Sequence, residues 1–354
     1  MSIKNSIKET IKNIKKTNEY KTIMSTVLND EYFGVKQEIL SEIENHENII
    51  IVRHCRPDGD CIGSSFGLRA ILKESFPDKN IYSVGDGVPE YLQFLGKEDV
   101  VSESLYEESL VIVVDTSIQK RIATPEYIKG KKIIKIDHHI AVEAYGHINY
   151  VREDFPACCQ IICDLANSFQ NKLIINEEAA KCLYTGLVTD TGRFRFRSVN
   201  SKTFDNASIL LSKDIDTENI YTHLNTKSPE SFKLQGYIYQ NFKLTENKVA
   251  YTYITKKLMK KFKASVDDAS NLVNCMDSIK DSLIWILFVE YDNEIRVRLR
   301  SRYVPVVDIA SQFNGGGHAN ASGATVYNKK QMKLLLETAD NKLKNYKIEN
   351  PELF

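Results

Sequence analysis

Three stretches of the chain are apolar at consecutive rather than alternating positions: Ile49–Val52, Leu110–Val114, and Ile133-Ile134 with Ile136. Runs that are apolar on both faces suit strands of a parallel sheet covered by helices. Between them the period lengthens to that of a helix. Phe66–Phe76 reads as a covering helix. Residues 177–188 carry Ala180, Leu183, Tyr184 and Leu187 behind Glu177 and Glu178, and residues 202–213 carry Phe204, Ala207, Leu210 and Leu211 behind a Ser201 cap. This alternation, over 36–215, predicts an α/β domain with a mostly parallel sheet flanked by helices. At 216–245 the pattern changes, marking a linker, with a helix start at Ser228-Pro229-Glu230. Over 246–345 the strand-like segments Lys248–Ile254, Leu283–Tyr291 and Glu294–Arg302 lie close together, with helical stretches near 265–280 and 305–313. They predict a smaller mixed α/β domain. Residues 1–35 stand apart as a helical arm. Ile3, Ile7, Ile11 and Ile14 make one stripe among lysines, read as the face that docks on the rest of the protein.

Composition narrows the class. The 354 residues hold 47 Lys+Arg against 47 Asp+Glu, with 42% hydrophobic and 27% charged positions. That balance excludes wholesale disorder and argues against gripping long duplex nucleic acid by bulk charge, while leaving room for a local basic groove. The longest apolar runs are strand-length, so no transmembrane span or secretory leader is expected. Seven cysteines, two of them adjacent (Cys158, Cys159) and none in a C-x-x-C pair, fit thiols in a reducing cytoplasm better than a disulfide framework.

The chemistry gathers at strand ends. His54-Cys55-Arg56-Pro57-Asp58-Gly59-Asp60 follows directly on the first strand. In an open parallel sheet, ligands bind beyond the carboxyl ends of strands. Pro57 and Gly59 predict a turn in which His54, Asp58 and Asp60 converge in one loop. Imidazole mixed with carboxylate suits a divalent transition ion such as Mn²⁺. The second strand ends at Asp115, the third in Asp137-His138-His139, and the helix over 177–188 leads into Asp190-Thr191-Gly192. An Asp at a strand end can bridge two ions. Each signal alone reads equally as a surface turn or a helix cap; their coincidence on one rim makes a site.

In the second domain Arg296, Arg298, Arg300 and Arg302 alternate with Ile295, Val297, Leu299 and Ser301, placing guanidiniums on one strand face. Asn314-Gly315-Gly316-Gly317-His318 follows as a loop whose amides can approach an anion. Together they favour a phosphate or nucleotide clamp. Arg193-Phe194-Arg195-Phe196-Arg197 is read as a strand with Phe inward and Arg outward, base stacking on Phe being the alternative. Cys55 and Cys61 are read as small packing residues.

Taken in order, His54…Asp58-Gly59-Asp60…Gly63-Ser64, Asp115, Asp137-His138-His139 and Asp190-Thr191-Gly192 resemble the four motifs of the DHH phosphoesterases. Arg300-Ser301 followed by Gly315–His318 resembles the DHH-associated C-terminal domain, in the nano-RNase/pAp-phosphatase branch. The resemblance spans roughly residues 40–330. It implies a binuclear Mn²⁺ site in a cleft between two domains, where metal-activated water hydrolyses a phosphoester. His54, Asp58 and Asp115 would hold one ion, and Asp60, Asp115, His138 and Asp190 the other. His139 and Asp137 would serve catalysis at the scissile phosphate. Arg300, Ser301, Gly315, Gly316, Gly317 and His318 would hold the rest of the substrate. Cys158-Cys159 stand where many relatives carry Ser-Thr, and Asn314 where Gly is common. The implied substrates are short oligoribonucleotides, linear dinucleotides or pAp, with cyclic di-AMP, or a non-catalytic nucleotide sensor, as alternatives. The expected partners are nucleotides, and a homo-oligomer is compatible with the pattern.

Overall fold

The computed structural model of the protein describes residues 30–353, which form two compact units, up to Asn225 and from Thr226. The isoleucine stripe of the expected arm lies outside the described residues.

The first unit opens with α1 (Phe33–Asn45), β1 (Asn48–Val52), α2 (Gly59–Ser75), β2 (Asn80–Val84), the short α3 (Glu103–Tyr106), β3 (Ser109–Val114), β4 (Lys132–Asp137) and β5 (Ile148–Val151). The helices α4 (Cys158–Ser168), α5 (Glu177–Asp190), α6 (Ser201–Leu211) and α7 (Thr217–Asn225) complete it. All five strands are parallel, in the order β2-β1-β3-β4-β5. The apolar runs become strands buried on both faces, as their composition requires. Ile49, Ile51, Leu110, Ile112, Ile134 and Ile136 pack under α1, α2, α4 and α5. Ile50, Val52, Val111, Val113 and Ile133 fill the opposite face with Tyr106, Ile122 and Tyr127. The strands β2 and β5 have half-exposed alternating patterns and carried no continuous apolar signal. The segment over 216–245 is itself helical over most of its length, and the division between the units falls inside it.

The helix α2 is buried at every position from Gly59 to Leu72, because it lies beneath α5 as well as on the sheet. Small residues permit that crossing. A methyl group added at Gly63 would stand 2.5 Å from the Cys182 carbonyl oxygen, which is backbone and cannot swing aside. Gly63→Ala should therefore force α2 and α5 apart at a cost of about 1–3 kcal/mol, read as a lowered urea midpoint with an unchanged slope.

The second unit carries α8 (Pro229–Asn241), β6 (Lys243–Leu244), β7 (Ala250–Ile254), α9 (Lys256–Phe262), α10 (Val266–Ser270), β8 (Ile284–Glu290), β9 (Ile295–Ser301), α11 (Val307–Gln312), β10 (Gly316–His318), β11 (Ala321–Val326) and α12 (Lys329–Glu349). Its mixed sheet runs β10-β11-β9-β8-β7-β6, with β7 and β8 parallel and the other neighbours antiparallel. The sheet has a core on each face: Ile286, Phe288, Val297 and Leu299 meet Leu335 and Ala339 of α12, while Leu287 and Val289 meet Leu234 and Ile238 of α8. Among the described residues, no helix is long and apolar enough to cross a membrane.

Candidate metal centre

In the first unit the structure gathers every residue expected at the rim. His54 lies just beyond β1 and is buried. Asp58, Gly59 and Asp60 do not form a loop: Asp58 is the N-cap of α2, its carboxylate accepting from Cys61 N at 3.1 Å, and Asp60 sits in the first helical turn. A turn was the natural reading of Pro57 and Gly59, but capping by Asp58 continues the backbone into helix. Asp115 follows β3 with φ of +52°, and its amide donates to the Ile136 carbonyl oxygen at 2.9 Å. That places its carboxylate, nearly fully buried, at the centre of the cluster.

The distances converge on Asp115. Its Oδ2 lies 3.4 Å from His54 Nε2, and its Oδ1 lies 3.3 Å from His138 Nε2 and 3.5 Å from His139 Nδ1. His138 Nε2 is also 3.7 Å from Asp60 Oδ2 and 3.5 Å from Asp190 Oδ2. Asp58 stands at the margin, its Oδ2 4.0 Å from His54 Nε2 and more than half exposed. Asp190 belongs to the last turn of α5, not to the loop after it. Three groups made wholly of described first-unit residues have donor atoms close enough to share an ion: His54 with Cys61 and Asp115, Asp60 with His138 and Asp190, and Asp115 with Asp137 and His139.

The electrostatics call for cations. Burial pulls both imidazoles down, but the carboxylates outweigh it: Asp115 and Asp58 raise His54 to about 9, and Asp115, Asp60 and Asp190 raise His138 to about 10. Burial, together with Asp115, pushes Asp60 up to about 6. Burial also pushes Asp190 well above the usual carboxylate range, with Asp60 and Asp58 adding to it. Asp115 is held well below that range: burial opposes the shift, and His138 and His54 overcome it. Asp115 Oδ1 is nonetheless buried and accepts no hydrogen bond among the described residues. Four carboxylates, two imidazoles and an unsatisfied oxygen at their focus fit divalent cations.

A consequence follows for metal binding. Ligands must shed protons, and the protons held by His54 and His138 at neutral pH must leave as an ion enters. Calorimetric titration with Mn²⁺ near pH 7.5, in buffers of different ionisation enthalpy, should therefore show release of roughly two protons and affinity that rises with pH. Release of none would mean that the imidazoles are not displaced.

Other residues build the frame. Asp60 is fully buried and accepts from Cys158 N at 2.6 Å and Cys159 N at 2.9 Å, so it caps α4, whose N-cap residue Ala157 has no side-chain acceptor. Asp137 Oδ1 accepts from the His138 and His139 amides, at 3.0 and 3.3 Å, and lies 2.8 Å from His139 Nδ1. Behind Asp137 stands Lys135, a fully buried ammonium 3.3 Å from Asp137 Oδ2, donating to the carbonyl oxygens of Ser117 and Glu143 at 3.0 Å each. Sequence reasoning passed over Lys135, although a lone charge inside an otherwise apolar strand was its signal.

In the second unit, Arg296, Arg298 and Arg300 lie half-buried on one face of β9, and Arg302 falls beyond its end. Burial, with Arg298 beside it, pulls Arg300 down to about 10. Ser301 donates to Val304 O at 2.5 Å and accepts from Asn320 Nδ2 at 3.0 Å. The glycine segment is not a loop: Gly316–His318 form β10, because Gly317 at φ +136° and the missing Cβ of Gly315 let the backbone pair against β11. Ala321 pairs with His318 on one side and with Arg300 on the other, so these three strand ends lie together.

Comparison with known proteins gives the family. The DHH family N-terminal domain matches residues 48–187, and the DHHA1 domain matches residues 246–345. The bifunctional oligoribonuclease and PAP phosphatase NrnA of Bacillus subtilis is 38% identical over 83% of this chain and 94% of its own. A probable NrnA of Streptococcus mutans is 37% identical over 86% of this chain and 98% of its own. An exopolyphosphatase-related protein of Bacteroides fragilis has a solved structure with TM-score 0.79 and 31% identity, covering 89% of this chain and 96% of that one. With both domains matched in order and relatives of this identity covered nearly end to end, the chain belongs to the DHH phosphoesterase family, among members that pair a DHH domain with a DHHA1 domain.

Proposed function

We propose that the protein hydrolyses phosphoester bonds of short oligoribonucleotides and of pAp, releasing mononucleotides, with two divalent ions, Mn²⁺ first among them. One observation carries the reading: the buried Asp115 carboxylate lies against both His54 and His138, and His138 in turn lies against Asp60 and Asp190. His54, Asp58 and Asp115 would hold one ion, and Asp60, Asp115, His138 and Asp190 the other, with Asp115 shared. Bound there, the ions would supply Lewis acidity for water and for the phosphoryl oxygens.

The protein's own groups do the positioning. Asp137 fixes the His139 ring through Nδ1, so that Nε2 is the atom offered to the scissile phosphate. The Arg300 guanidinium, with Ser301, His318 and the backbone amides of Gly315–Gly317, binds the substrate's remaining phosphate and sugar. The relatives named as oligoribonucleases and PAP phosphatases support this substrate class. Seven free thiols support a reducing, cytoplasmic setting.

The test is divalent-ion-dependent hydrolysis of a panel: a short RNA, pAp, linear diadenylate and cyclic di-AMP. The linear substrates should be cleaved fastest. A preference for the cyclic dinucleotide would reassign the substrate, and binding without cleavage of any member would make the protein a sensor. Arg300→Ala should raise KM for pAp about tenfold, the loss of one charge-assisted contact, yet change hydrolysis of bis(p-nitrophenyl) phosphate little. Equal effects on both would remove Arg300 from the clamp.

A further inference from the structure

Beyond Asp190 the backbone turns the wrong way. Gly192, Arg193 and Phe194 take φ of +56°, +60° and +60° in succession, a region that only glycine enters without cost. The Arg-Phe segment is therefore not the strand its alternation suggested. Thr191 accounts for the difference. Its carbonyl oxygen accepts from Arg195 N at 2.9 Å and Phe196 N at 3.0 Å, and its hydroxyl oxygen accepts from Phe194 N at 3.0 Å, while Arg193 N donates to Val188 O at 2.8 Å. These bonds wind the chain into a left-handed turn on the end of α5. Strain of this kind persists where surroundings overdetermine it, and it concentrates at functional sites.

The turn sends its two phenylalanines in different directions. Phe194 is the anchor: its ring stacks on Phe204 at 5.5 Å and lies 6.1 Å from Tyr184. Phe196 stays 47% exposed. The ring packs directly against Gly192, so close that a methyl group there would meet ring carbons at 2.4–2.8 Å. The ring is thus held against the main chain at Gly192, nearly half exposed, while its own amide donates to the carbonyl oxygen of the residue after Asp190. Arg195 and Arg197 flank it, both exposed.

We propose that Phe196 is the platform on which a nucleobase of the substrate stacks, so that the strained turn is a specificity element beside the metal centre. An aromatic face held rigid among guanidiniums is the arrangement on which unpaired bases stack, whatever their identity. The assignment rests on the reading of the protein as a nucleotide phosphodiesterase. It makes the Gly192 conformation and its missing Cβ part of substrate recognition, since any side chain there would dislodge the ring.

The test uses the full-length protein with divalent ion and two dinucleotides, diadenylate and its counterpart lacking the distal base, with Phe196→Ala and Phe196→Trp variants. Phe196→Ala should raise KM for diadenylate about tenfold with kcat within about twofold, the size expected for one stacked base, and leave the abasic substrate nearly unchanged. Phe196→Trp should restore the wild-type KM. Independently, a dinucleotide carrying 2-aminopurine should lose fluorescence on binding the wild type and not on binding Phe196→Ala. Equal KM changes on both substrates, or fluorescence loss that survives in Phe196→Ala or is absent in the wild type, would overturn the proposal. Fluorescence loss in a wild type that hydrolyses nothing would uphold the stacking and sink the hydrolase reading instead.

Discussion

An Asp115→Asn protein should cleave neither short RNA nor pAp, with a loss of about a thousandfold or more in kcat/KM, some 4 kcal/mol of barrier. Asparagine is the telling substitution. It keeps the shape of the side chain and, unlike alanine, tolerates the left-handed backbone that Asp115 adopts at φ +52°. What it removes is a carboxylate within 3.5 Å of His54, His138 and His139 at once. Without that charge the two imidazoles it holds at about 9 and about 10 fall back toward ordinary values. On the proposed function, the ligand shared by the two ions is lost with it. The fold should survive, because the Asp115 amide keeps its bond to Ile136 O and the strands keep their cores. The checks are steady-state turnover with Mn²⁺, alongside circular dichroism and the thermal midpoint. A folded Asp115→Asn protein that hydrolyses at the wild-type rate would refute the metal-centre assignment. Asp58→Ala should be milder, since Asp58 stands at the exposed margin.

The reach of the sequence can be traced residue by residue. His54, Asp115 and Asp137-His138-His139 were legible because each terminates a run too apolar to be anything but an inner strand, and parallel strands place such ends on one rim. Asp60 was legible as a residue of the rim but not as a cap, because its partners are backbone amides 98 and 99 residues away and backbone leaves no mark in side-chain pattern. The edge strands β2 and β5 escaped because an edge is half-solvated and so carries a broken apolar signal. The Arg193–Arg197 alternation misled for a different reason. Period two is a strand's signature only if the backbone is free to extend, and Thr191 spends three acceptor contacts preventing it. Gly315–His318 misled in the opposite sense: glycines that look like a loop let a short strand pair closely.

Lys135→Met should cost about 3–5 kcal/mol of folding stability, which is a large part of the total for an ordinary domain. Lys135 is fully buried on β4, and its ammonium lies 3.3 Å from Asp137 Oδ2, an oxygen with no hydrogen-bond partner among the described residues. Burial drives the Asp137 carboxyl up, and the hydrogen bond with His139 first, then the ammonium of Lys135, helps to hold it below its usual range. Removing the ammonium leaves the buried Asp137 Oδ2 without its cation and abandons the carbonyl oxygens of Ser117 and Glu143 as well. Methionine matches the length of the lysine stem, so little of the loss comes from a cavity. Asp137 supplies the control. If the penalty is charge, Asp137→Asn should cost less in the Lys135→Met background than in the wild type, and a double-mutant cycle should return a coupling of about 1–3 kcal/mol. If the penalty were only the two carbonyl contacts, the single costs would add. The same pair reaches the chemistry, because Asp137 is what fixes the His139 ring at 2.8 Å. Lys135→Arg, which restores a cation but not its compact tip, should recover part of the stability while leaving kcat depressed. Full recovery of both would mean that charge alone, without placement, is what β4 asks of position 135.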